Sequence, residues 1–195
     1  MGVSGRTSVA VLLALAAPGC GGSEDRAQEA PIPLGDPPAA VRDACRDTEA
    51  TFAVRCPARW PSVPGSRPKL QRLGDGDRYQ LSINDSAFRT ADVGHILVGG
   101  QTRELPLAGD RGDRWPGAPA LGLLKGGAIV GTGSVGAARA LVVRMPRYPR
   151  GGVHGGHVVA LWNSGGHGYA VSLHFSGYPL ADRIATVLAL ARSAA

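Results

Sequence analysis

The chain has 195 residues, 44% of them hydrophobic, with 29 glycines, 15 prolines and a formal net charge of +6. That length suits one domain with appendages, and so much glycine and proline excludes a helical bundle. The basic residues are scattered, with only Arg139, Arg144, Arg147 and Arg150 close together, which argues against the basic stripe with interleaved aromatics that nucleic-acid binding needs.

Residues 1–19 read as a signal peptide, with Arg6 as the positive start and an apolar run at 9–17 that is too short to span a bilayer. The run ends in Ala17-Pro18-Gly19-Cys20, small residues leading to a cysteine. This resembles the bacterial lipoprotein signal, which implies that Cys20 is acylated and becomes the new N-terminus; plain secretion is the alternative. Residues 20–40 hold Gly, Ser, Pro, Ala, Glu and Asp with little bulky apolar content beyond Ile32 and Leu34, and read as a solvated tether. Export makes a Cys45–Cys56 disulfide the natural use of the two remaining cysteines, stabilising by roughly 2–3 kcal/mol. The alternative is a pair of buried thiols.

The folded domain is expected over 41–195. Residues 41–51 suggest a short helix carrying Cys45, and 52–56 a short strand. Three prolines between 57 and 65 disfavour regular structure there, with Trp60 packing as a lid near the disulfide. Residues 78–84 alternate, with Tyr79, Leu81 and Ile83 on one face, as a half-buried strand does. Further strands are expected at 94–99, 102–105, 127–131 and 138–145, with a loop at 109–119.

The clearest stretch is 156–194. Two apolar runs, 157–162 and 169–175, flank the tip Asn163-Ser164-Gly165-Gly166-His167-Gly168, as in a β-hairpin. Closure about Gly165-Gly166 pairs Trp162 with Tyr169, Ala160 with Val171 and Val158 with Leu173 on one apolar face. His157, Val159, Leu161, Ala170, Ser172 and His174 form the other, less apolar face. A helix follows, with Pro179 at its start and Leu180, Ile184, Val187, Leu188 and Ala191 in one stripe that suits the apolar hairpin face. Asp182, Thr186, Ala189 and Ser193 lie opposite.

Three motifs bear on chemistry. Gly131, Gly133 and Gly136 make a GxGxxG pattern, but no acidic residue follows until Asp182 and no βαβ context surrounds it, so a glycine-rich hairpin is the better reading. The register above sets His157 opposite His174, with His154 nearby, so three imidazoles can converge as metal ligands. No fourth ligand is evident, and His95 and His167 have no visible partner. There is no GxSxG elbow and no paired acid–base carboxylates, and an enzyme is not expected.

Residues 138–194 resemble the closing segment of a domain found in secreted actinobacterial lipoproteins. The resemblance rests on Gly156-His157, Trp162, Tyr169, Val171-Ser172, His174 and the final helix at 182–193. Some such domains are similar to the PsbP-like α/β sandwich. The resemblance implies a non-catalytic envelope domain and transfers no site residue.

The reading is therefore an α+β domain with an antiparallel sheet of about five to seven strands and a C-terminal helix on one face. It is expected to be a membrane-anchored lipoprotein at the extracytoplasmic face of the cell membrane, with an accessory or interaction role and no cofactor. Its partners are expected to be the membrane, through the N-terminal lipid, and an envelope protein or anionic cell-wall polymer. The alternative is a ligand- or metal-binding lipoprotein that uses the His157/His174 face.

Overall fold

The computed structural model describes residues 32–61, 69–84, 95–108, 114–175 and 177–195. The expected signal peptide, Cys20 and the first part of the tether lie outside these residues. A small ribbon opens the described chain: Leu34–Gly35 (β1) pairs antiparallel with Trp60–Pro61 (β2), with the helix Ala39–Arg46 (α1) between them. Lys69–Gly74 (β3), Arg78–Asn84 (β4), His95–Gln101 (β5), Arg114–Trp115 (β6), Gly127–Val135 (β7), Ala138–Arg144 (β8), Val158–Ser164 (β9) and His167–His174 (β10) form the main sheet. Its order is β3-β4-β5-β10-β9-β8-β7-β6, every neighbouring pair antiparallel, and Leu180–Ser193 (α2) packs on it.

The antiparallel sheet with a C-terminal helix is as expected, but the sheet has eight strands rather than five to seven. The additional strands carry little sequence signal. β3 is exposed along its length apart from a half-buried Leu70, so it lacks an alternating apolar face, and β6 is only two residues long.

Two expected strands are coil because side chains satisfy their backbones. The peptide groups of Leu105 bond to the Asn163 amide, at 2.7 Å from its N–H and 2.9 Å to its carbonyl. The Arg55 N–H donates to the Tyr79 hydroxyl at 2.8 Å, and that hydroxyl donates to the Arg55 carbonyl at 3.1 Å. Tyr169 donates to the Ala53 carbonyl at 3.1 Å. Tyrosines thus take the place of a strand partner for 53–55.

The fold also begins earlier than the expected boundary at 41. Ile32 is buried in the core and Leu34 packs beside it, so part of the expected tether belongs to the domain. Cys45 and Cys56 form a disulfide with a Cα–Cα separation of 6.1 Å, joining α1 to the coil that leads into Trp60. Trp60 is itself a core residue.

The hairpin register is as the sequence implies, with Tyr169 opposite Trp162, Val171 opposite Ala160 and Leu173 opposite Val158. Gly165 and Gly166 at its tip have φ of 60° and 81°, a left-handed pair that suits glycine. The face formed by Val158, Ala160, Trp162, Tyr169, Val171 and Leu173 packs with Val187, Leu188, Leu190 and Ala191 of α2 in one core. The helix is buried over a wider arc than its apolar stripe. Thr186, expected on the outer side, is fully buried with its hydroxyl donating to the Asp182 carbonyl at 2.8 Å. At the C-terminal end of α2, Ala58 N–H bonds the Ser193 carbonyl at 3.0 Å and Arg59 N–H bonds the Ser193 hydroxyl at 3.1 Å.

The second hairpin face is covered too. Val159, Leu161 and Ala170 pack with Leu105, Trp115, Leu121 and Leu123 in a separate core. A segment whose prolines and glycines read as loop therefore folds over the sheet and buries it on both sides.

β7 and β8 form the glycine-rich hairpin. Gly136 turns it with φ of 56°, and Gly133 lies beneath α2, where a Cβ would stand 3.0–3.1 Å from the Leu188 methyls. The GxGxxG glycines thus serve a turn and a close helix–sheet approach.

Candidate metal centre

The sheet brings together histidines that are far apart in sequence. On β5, alternation puts His95, Leu97 and Gly99 on the face away from α2. β5 pairs with β10 so that His95 stands opposite His174, and opposite Asn84 of β4 on its other side. β10 carries Ser172 and His174 on that same face. His157 immediately precedes β9, one residue beyond the Val158–Leu173 pair, and its carbonyl accepts the Met145 N–H at 2.8 Å, which extends the ladder. Gly156 beside it has φ of 78°, and a Cβ there would lie 3.3 Å from Cε1 of His174, so glycine leaves room for that ring.

One ligand nitrogen from each of His95, His157 and His174 lies within 4.8 Å of the other two. His157 is fully buried; His95 and His174 are half-buried. The His95–His157, His157–His174 and His95–His174 ring centroids are 4.3, 4.9 and 5.1 Å apart. His157 Nε2 faces His95 Nε2 at 2.6 Å, and His157 Nδ1 is 2.5 Å from the buried Ser172 hydroxyl. Nδ1 of His174 is buried with no hydrogen-bond partner among the described residues.

This arrangement has the parts of a metal centre. Zinc holds imidazole nitrogens at about 2.0–2.1 Å, which sets tetrahedral neighbours about 3.3 Å apart. To hold zinc, the 2.6 Å pair must open and the wider separations close. The Ser172 hydroxyl can accept a hydrogen bond from Nδ1–H of His157, which leaves Nε2 as the ligand atom, the outer contact that orients ligating histidines. Burial lowers the His157 pKa well below its ordinary 6.5, reinforced by His95, His154 and His174, so the ring is neutral at pH 7, the form that binds metal.

Of the three residues singled out in the sequence, His157 and His174 belong to this group and His154 stands beside it. The His154 ring is 5.6 Å from that of His157, but its Nε2–H donates to the Leu121 carbonyl at 2.9 Å, with the Gln80 amide 3.1 Å from the same nitrogen. That bond ties Leu121 of the covering segment to the turn that carries His154. Burial pushes its pKa down to about 3, partly offset by the bond to Leu121 and deepened by His95. His167, at the far end of β10, stacks on Phe52 with centroids 5.0 Å apart. The third ring is His95, which sequence reasoning left without a partner. Its only local signal was a histidine at the start of an apolar strand, and its role depends on β5 pairing with β10, which no local pattern reveals.

Comparison with family models, with curated proteins and with solved structures finds no match.

Proposed function

We propose that the chain is an exported lipoprotein, acylated at Cys20 and held at the extracytoplasmic face of the cell membrane, whose domain binds a transition-metal dication without catalysis. The reading is supported above all by the convergence of His95 on β5, His174 on β10 and His157 just before β9, with ligand nitrogens within 4.8 Å. An all-imidazole set suits zinc, copper or nickel and disfavours magnesium and calcium, which prefer oxygen donors. Three protein ligands leave a coordination position for water or an exchanging ligand, which fits a carrier or receiving protein in the envelope. The signal-like sequence up to Cys20 and the paired cysteines of the domain support the exported location.

Equilibrium dialysis of the full chain against zinc, and separately copper, tests the reading. One ion per chain should be retained, and His95→Ala or His157→Ala should lose it. Equal retention by these variants and the parent chain would overturn the assignment.

A further inference from the structure

The loop 146–156, whose end borders the histidine cluster, carries a second feature. Four of the five large apolar side chains left exposed on the described residues lie on or around it: Tyr148 is 76% exposed, Val153 56%, Leu73 54% and Leu124 38%. Val153 and Leu73 line one groove, and Val153 and Leu124 both pack near the backbone of Gly122 and Gly152. The exposure is built in. The Gly156 N–H closes the loop on the Pro146 carbonyl at 2.8 Å, and the N–H groups of Arg150, Gly152 and Gly155 each bond to the carbonyl three residues back at 3.0 Å. Gly151, Gly152 and Gly155 fill the tightly packed inner side, where a Cβ would meet backbone, so Tyr148 and Val153 point outward.

The Tyr148–Val153 side of the patch is basic, while the Leu73 side also meets Asp75, which pairs with Arg78 at 2.9 Å. From Arg114 to Ala181 the sequence has no Asp or Glu, while Lys125, Arg147 and Arg150 stand next to the apolar tip. All three are exposed, and none makes an ion pair among the described residues. Exposed aromatic and aliphatic side chains ringed by unpaired cations match an anionic bilayer surface, where tyrosine sits at headgroup depth and each cation meets lipid charge.

We propose that Tyr148 and Val153, flanked by Arg147, Arg150, Lys125 and Leu124, form a membrane-docking tip that seats the domain on anionic phospholipid. Charge complementarity selects this occupant. Eleven residues separate Cys20 from Ile32, a reach of at most about 40 Å, so an acylated Cys20 would hold the domain within that distance of the bilayer. The docking does not depend on metal binding.

Vesicle co-sedimentation tests it on the full chain carrying Cys20→Ser, so that no acyl chain contributes. The protein should bind phosphatidylglycerol-containing vesicles more tightly than pure phosphatidylcholine vesicles, and less tightly as salt rises. R147Q/R150Q should weaken binding by roughly fivefold for each charge removed. Tyr148→Ser with Val153→Ser should weaken it at every salt concentration, and far-UV circular dichroism should show both variants folded. Binding unchanged by either pair would overturn the proposal. So would capture by a soluble polyanion without vesicle binding, which would assign the surface to a cell-wall polymer.

Discussion

Nε2 of His157 faces Nε2 of His95 at 2.6 Å, although the two residues are 62 positions apart in sequence. Such a pair needs a single proton between the nitrogens or a cation that both can ligate, because two protonated rings would repel inside a largely buried site. The Ser172 hydroxyl on the far nitrogen of His157 sets which tautomer meets His95. When Nδ1 donates to Ser172, Nε2 presents a lone pair.

Ser172→Ala removes that orienting partner and leaves all three imidazoles. The expected result is a loss of metal affinity of about 10–100-fold, with one ion per chain still bound at saturation. Competition titration against a chelator of known affinity measures it. An unchanged affinity would mean that Ser172 orients nothing.

Acid should destabilise the fold. His154, lowered to about 3, and His157, lowered well below 6.5, are neutral in the folded state, while in the unfolded chain both take up a proton near 6.5. For His154 the unfolded state binds more protons between about 6.5 and 3, so stability falls as pH drops through that range, and His157 adds to the fall below 6.5. Urea midpoints across this range check the slope. His154→Gln should flatten it while lowering stability at pH 7.

The disulfide fastens α1 and the coil before β2 over the edge of the helix-side core. Replacing both Cys45 and Cys56 with Ala should cost about 2–3 kcal/mol, given the short loop they close. Thermal unfolding of the variant against the parent measures the loss. A melting temperature unchanged by the replacement would mean that this stretch is held by its other contacts, among them Trp60 in the core and the bonds of Ala58 and Arg59 to Ser193.

Gly133 tests the reading of the glycine motif. Val at this position must push Leu188 away from β7, and an overpacked contact of this kind costs about 1–3 kcal/mol. Stability should fall while zinc stoichiometry stays at one. Measurable affinity of the parent chain for a dinucleotide, lost in the variant, would contradict the packing role.

The helix-side core was readable because its pattern is local. Alternation from Val158 to Trp162 and from Tyr169 to Leu173, a Gly165-Gly166 turn, and a 3.6-residue stripe in the following helix each fix a face without knowledge of the rest of the chain. The same register set His157 against His174. His95 was not readable, since its meeting with His174 follows from the placement of β5 beside β10, a long-range pairing. The covering segment was misread for a related reason. Leu105, Trp115, Leu121 and Leu123 bury a sheet face from coil held by the Asn163 side chain, a two-residue strand and tight turns, elements too short to leave a period to detect. Trp115, for example, donates its indole N–H to the Pro106 carbonyl at 2.6 Å.

The most direct test of the metal centre is an anomalous difference map at the zinc edge, from crystals of the full chain grown with zinc. A peak is expected between His95, His157 and His174, with three nitrogens at about 2.0–2.1 Å and the Nδ1 of His157 on Ser172. A map with no peak among these rings, or with zinc held only by other groups, would contradict it.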